Sequence, residues 1–251
     1  MDNLFVASIA GVLGGAINAI AGGGSFITFP ALVLVGLPPV SANQTGGIAL
    51  LPGSLASAWA YKGEIRAFKQ VSLSMLFVST LMGGGTGAAL LLITPTRIFD
   101  LVIPWLVLIG AVTFTFGKSM HSRASTGDAL VARPLSIACY QFLLGAYGGY
   151  FGGAVGIMMM AGWIVFGLGD LRGMNGVKTL MVAAARVVAV LVFAVWGHVY
   201  WLVALYMTVA AVIGGYLGAR VTRFLSAITM RRIIAVIFFA VTAAFFYKGY
   251  A

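Results

Sequence analysis

Three consecutive glycines, Gly22, Gly23 and Gly24, interrupt an apolar run that otherwise continues from Leu4 to Leu37. No other feature limits the fold as much. Each glycine costs roughly 1 kcal/mol relative to alanine in a helix interior, so a helix entering this stretch breaks. The flanks are too apolar for a surface loop. Inside a bilayer, broken backbone persists only where protein or a wet cavity covers it, because free N–H and C=O groups find no water in hydrocarbon. Breaks of this kind mark transport sites.

Composition supplies the bilayer. Of 251 residues, 61% are hydrophobic and 8% charged, and mean hydropathy is +1.07. These values define an all-α, polytopic membrane protein with a lipid bilayer as its surroundings. The net charge of +10 invites a nucleic-acid reading, but the basic residues sit in short loops and form no stripe, so no nucleic-acid partner is expected. One cysteine, Cys139, excludes an internal disulfide, and neither His121 nor His198 has a carboxylate or cysteine at ligand spacing. No metal and no cofactor is implied. Met1-Asp2-Asn3 lacks a basic leader, so the first apolar run reads as part of the mature protein. Nucleophile-elbow, zinc-protease and P-loop patterns are absent, and no enzyme is expected.

Along the chain, a first apolar segment (4–21) breaks at the glycines and resumes as a short piece from Phe26 to Val35. Ten residues of helix cover about 15 Å, half a bilayer. After Gly36-Leu37-Pro38-Pro39 come a second span to Tyr61, kinked at Pro52-Gly53, a third from Val71 to Ile93 and a fourth from Phe99 to Phe116. The polar stretch 118–133 then separates a first repeat, 1–117, from a second, 134–251. At a constant offset of 134 residues, Gly11, Gly14, Gly15 and Gly22 fall on Gly145, Gly148, Gly149 and Gly156. Thr45 falls on Thr179 and Gly84 on Gly218. A second glycine-rich interruption, 148–153, precedes a short run from Ile157 to Leu168, so the hydropathy breaks superpose as well.

Charge orients the repeats through the positive-inside rule. With four crossings per unit, the loops carry +4 on one face and +5 on the other. With each broken segment treated as a re-entrant hairpin, a unit crosses three times and the second unit is inverted. One face then holds Asp2, Arg97, Asp100 and Lys248, summing to 0, and the other sums to +9. The sharper partition selects two inverted repeats, each a broken re-entrant hairpin plus three transmembrane helices, in a cell (inner) membrane with both termini extracytoplasmic.

Inverted repeats bring two hairpin tips together near the midplane, where half-helix N-termini present N–H groups to an anion. Gly22, Gly23, Gly24 and Ser25 form one expected tip, Gly153 and Gly156 the other. The glycine pairs Gly11/Gly15, Gly145/Gly149 and Gly214/Gly218 fit close helix packing instead. Facing the tips, Asn43, Gln44 and Thr45 align with Val177, Lys178 and Thr179, and Arg186 lies further along the same span. Lys178 and Arg186 are about 80° apart around a helix and can look into one cavity. No acidic residue lies inside a span to pair with them. A bound anion or a ring of carbonyls would supply the missing charge. The alternative is that Arg186 ties down freed carbonyls while Lys178 snorkels to the cytoplasm.

Gly22-Gly23-Gly24 followed by Pro30, then Gly36-Leu37-Pro38 and Thr45, with a degenerate copy ending at Thr179, resembles the sulfite exporter TauE/SafE family over essentially the whole chain. That resemblance implies a carrier for a small sulfur-containing anion such as sulfite or a sulfonate. The expected function is therefore a transporter of such anions, exporting them by alternating access around the glycine breaks; the alternative is a passive anion channel of the same architecture. Oligomeric state is not legible.

Overall fold

The protein is described by a computed structural model covering residues 2–21, 23–66, 68, 70–124, 133–168, 171–221 and 227–250. These residues form helices and no strand: α1 Asp2–Ala21, α2 Ser25–Leu34, α3 Pro39–Ala49, α4 Leu51–Ala60, α5 Leu73–Ile93, α6 Thr96–Ala124, α7 Pro134–Tyr150, α8 Val155–Val165, α9 Leu171–Trp196, α10 Trp201–Val221 and α11 Ala227–Tyr250. Among the described residues, five helical segments are long and apolar enough to cross a bilayer, namely Leu73–Ile93, Thr96–Phe116, Gly173–Trp196, Trp201–Gly218 and Arg232–Tyr250. The chain is thus an all-helical, multi-pass membrane protein.

Both expected breaks are present. The first leaves α2 with ten residues, and Gly24 stands at its N-cap without a side-chain cap. The second leaves α8 with eleven, led by Gly152 at φ +80° and Ala154 at φ +57°. Gly36, at φ +90°, turns the chain out of α2, and Pro39 opens α3 at a position where its missing N–H costs nothing. The second span divides at Leu50, just ahead of Pro52, which has no N–H to continue the ladder. The helical backbone of α6 runs on to Ala124, into the stretch read as a linker, because no glycine or proline stops it between Gly117 and Gly127.

The two halves exchange partners. α1 packs along α10, and α7 packs along α5. Small residues make this possible: a Cβ on Gly15 would overlap the Ala211 carbonyl, one on Gly214 the Val12 carbonyl, one on Gly149 the Gly84 carbonyl and one on Gly87 the Ala146 carbonyl. These contacts correct the constant register. Val12 and Ala146 stand 134 positions apart, but their partners Gly214 and Gly87 stand 127 apart. Gly84 and Gly218, aligned at 134, face different neighbours, Ala185 of α9 and Ala16 of α1. The connection before α5 spans 61–72, whereas that before α10 spans only 197–200, and this difference shifts the register.

Each short helix has its own core. Phe26 of α2 stacks on Phe238 of α11 at 3.8 Å between ring centroids, and Phe29 stacks on Phe245 at 5.1 Å. α8 instead buries Met159 and Trp163 among α5, α7 and α9. A polar node locks it there. Trp163 Nε1 donates to Gln141 Oε1 (3.1 Å), Gln141 Nε2 to Thr80 Oγ1 (2.7 Å), and Thr80 to the Leu76 carbonyl (2.7 Å). Every neutral polar atom in this chain of contacts has a partner, so the node fixes α8 without a desolvation penalty.

Candidate functional site

The two breaks touch. Phe26, one residue into α2, meets Phe151 edge to face at 5.9 Å, and a Cβ on Gly153 would stand 2.7 Å from the Phe26 ring. Beside this contact lies a cavity of about 20 Å³, lined by Ser25, Asn43, Gly47, Gly148, Gly149, Phe151, Gly152, Arg186, Ala189, Val190 and Phe193. It has room for about one water molecule. Four elements converge on it: the start of α2, the middle of α3, the end of α7 with its following turn, and the middle of α9.

Arg186 is the charged residue of this lining. It is 7% exposed, and its Nη1 is buried with no hydrogen-bond partner. Among the described residues no carboxylate lines the cavity, so none of them neutralises it. Nη2 lies 3.6 Å, and Ser25 Oγ 3.9 Å, from the point where a Cβ on Gly152 would stand. Only glycine leaves that space open at φ +80°. Asn43 Nδ2 donates to the Tyr150 carbonyl at 2.7 Å, tying α3 to the last turn of α7. The arrangement therefore offers a fixed positive charge and a hydroxyl beside one small void, which are donors that suit an oxyanion, with the Asn43 amide at its edge.

Of the residues singled out from sequence, Ser25, Asn43 and Arg186 come together here. The others lie elsewhere. Gly22 falls outside the described residues. Gly23 backs onto the Phe238 ring, and Gly24 packs against Gly14, Asn18 and Leu50. Gln44 Oε1 accepts from the His198 N–H (2.9 Å) and Thr45 Oγ1 from the Tyr200 N–H (3.2 Å), so both hold the α9–α10 turn. Thr179 donates to its own helix at the Gly176 carbonyl. Lys178 Nζ donates to Asn175 Oδ1 at 2.6 Å, and its stem covers Gly156. Gly153 faces the Phe26 and Phe151 rings.

Sequence reading missed Gly152 and most of the apolar wall. Helical periodicity is the signal that finds the wall: Ala189, Val190 and Phe193 follow Arg186 at three, four and seven positions, and Gly47 follows Asn43 at four. Gly152 carried no such signal, since its neighbours Gly148, Gly149 and Gly153 are the same residue type.

Broken helices meeting inside an apolar bundle, with a buried cation at the junction, define a polytopic membrane protein of the transporter class. The chain belongs to the family described as sulfite exporter TauE/SafE, which matches residues 7–245. It is similar to a "Probable membrane transporter protein" of Haemophilus influenzae, 27% identical over 98% of this chain and 96% of that one. The "Probable membrane transporter protein ORF9" of a Sinorhizobium species is 28% identical over 84% of this chain and 80% of its own length. "Probable membrane transporter protein YfcA" of Escherichia coli K12 is 27% identical over 98% and 89%. No solved structure matches the chain. The protein is a membrane transporter of the TauE/SafE family.

Proposed function

We propose that this transporter carries a small sulfur-containing anion, sulfite or a sulfonate, bound at the junction of the two breaks and moved outward across the inner membrane. The observation that carries this reading is Arg186, a buried guanidinium with an unpartnered nitrogen in a cavity where no described residue supplies a carboxylate. An unpaired buried charge costs several kcal/mol, and a bound anion offsets that cost. The family description supplies the sulfur chemistry. The void has room for about one water, so an oxyanion enters only when the breaks part, as in a carrier that alternates access. The exchanged partners α1/α10 and α7/α5 support a duplicated pair of halves; their inverted arrangement, with the +9 face cytoplasmic and both termini outside, is read from the charge partition.

Outward movement follows from charge. By sequence, the acidic residues Asp2, Glu64, Asp100, Asp128 and Asp170 fall outside the apolar spans or at their ends, so the spans themselves offer no carboxylate relay for protons. With the cytoplasm negative, an exported monoanion gains about 2.3 kcal/mol per 100 mV and needs none. In proteoliposomes without a proton or sodium gradient, an imposed potential alone drives saturable sulfite flux toward the positive side. Flux that appears only with an ion gradient would overturn export; conductance that never saturates would favour the channel.

A further inference from the structure

We infer that the site selects singly charged oxyanions that still carry a proton, such as hydrogen sulfite, over the corresponding dianions, with Asn43 as the residue that reads the proton. This rests on the anion site proposed above and goes on to name the ionic form it takes.

Two features of the lining lead here. The first is charge. Arg186 contributes +1, and no other described lining residue carries a formal charge. A monoanion leaves the closed site neutral, whereas a dianion leaves one buried negative charge without a partner. The second is the orientation of the Asn43 amide. Nδ2 donates to the Tyr150 carbonyl at 2.7 Å, and flipping the amide would set Oδ1 against that carbonyl oxygen, so the assignment is fixed. Oδ1 therefore stands as an acceptor at the cavity, 6% exposed as a residue and receiving no hydrogen bond from a described residue. An acceptor beside an anion repels a bare anionic oxygen and is satisfied by an O–H. Arg186 and Ser25 donate and Asn43 accepts, a set that complements an oxyanion with one protonated oxygen.

The neighbouring titratable groups are engaged elsewhere. On α9, Lys178 is bonded to Asn175. On α7, Tyr140 donates to the Met158 carbonyl, Tyr147 to the Leu106 carbonyl and Tyr150 to Thr94, and Cys139 is exposed. Glu64, in the short turn against Gly176, is exposed, as is His198 after α9. No described titratable side chain other than Arg186 lines the void. The proton that decides binding is thus the ligand's own. Each anion transported carries its proton with it, and no relay through the protein is required.

The test is isothermal titration of the purified protein with sulfite, and separately with methanesulfonate, between pH 6 and pH 8.5. Sulfite changes from monoanion to dianion within this range; methanesulfonate is singly charged throughout and reports any titration of the protein itself. Apparent sulfite affinity is expected to fall about tenfold per pH unit once the dianion dominates, because only the protonated fraction binds. Methanesulfonate affinity changes less than about twofold. Sulfite affinity that is constant or rises with pH overturns the inference while leaving the site intact. Sulfite bound at pH 6 with unchanged affinity by Arg186→Gln, or not bound by the wild type at any pH, overturns the site itself. Asn43→Leu is expected to lower hydrogen sulfite affinity at pH 6 at least about tenfold more than methanesulfonate affinity; an equal loss for both makes Asn43 a tie to Tyr150 and removes it as the selecting residue.

Discussion

Replacing Arg186 by methionine should move stability and binding in opposite directions. Methionine keeps an unbranched side chain of similar reach and removes the charge, so the wall formed with Ala189, Val190 and Phe193 stays filled. Without ligand, the wild-type protein holds Nη1 buried and unpartnered. An unsatisfied buried polar atom costs about 1–3 kcal/mol, and more when charged. Removing it should raise the stability of the ligand-free protein by at least about 1 kcal/mol. Binding should suffer. At an anion concentration of about 100 Kd, the wild type gains about 2.7 kcal/mol from ligand. Loss of one charge-assisted contact, about 1.5–3 kcal/mol, weakens affinity roughly 10- to 150-fold. At the same anion concentration, the gain from ligand drops to about 1.4 kcal/mol or less. Thermal unfolding in detergent, with and without sulfite, reads both quantities. A variant that melts lower without ligand, and is still stabilised by sulfite as the wild type is, would make Arg186 a tie for freed carbonyls and refute this reasoning.

The packing makes a sharp contrast between two glycines of the α1/α10 contact. Gly15→Ala places a methyl on the Ala211 carbonyl and should destabilise by about 1–3 kcal/mol, whereas Gly215→Ala meets its nearest atom at 3.7 Å and should be neutral or up to about 1 kcal/mol stabilising; detergent melting distinguishes them. Gln44→Leu leaves the His198 N–H without its acceptor, so hydrogen exchange at 197–200 should quicken while sulfite affinity at the junction is kept; a large loss of affinity would return Gln44 to the site. In a Cys139→Ala background, single cysteines at Ala67, Ser125 and Arg223 should label from the cytoplasm, and cysteines at Asn3 and Tyr250 from outside; opposite sidedness of the two termini would sink the inverted arrangement.

The sequence by itself determined where the chain breaks and what surrounds it. Glycine in series is incompatible with a continuous helix, and apolar length measures a bilayer, so both interruptions and the long spans were legible residue by residue. Arg186 was legible for a related reason: a cation in mid-span with no carboxylate in any span must face something other than lipid. Tertiary structure alone decided which polar residues share the void. Asn43, Gln44 and Thr45 are adjacent, yet successive residues point about 100° apart around a helix; Asn43 looks to the junction while Gln44 and Thr45 hold a turn of the other half. Lys178 and Arg186 share a helix in the same way, and their 80° separation sends one to Asn175 and the other to the cavity. The register between halves was hidden for a geometric reason. A slip of seven residues is two turns and rotates a helix face by only about 20°, so a small-residue stripe looks the same before and after it. Only the contacts across α1/α10 and α5/α7 reveal which glycine meets which carbonyl.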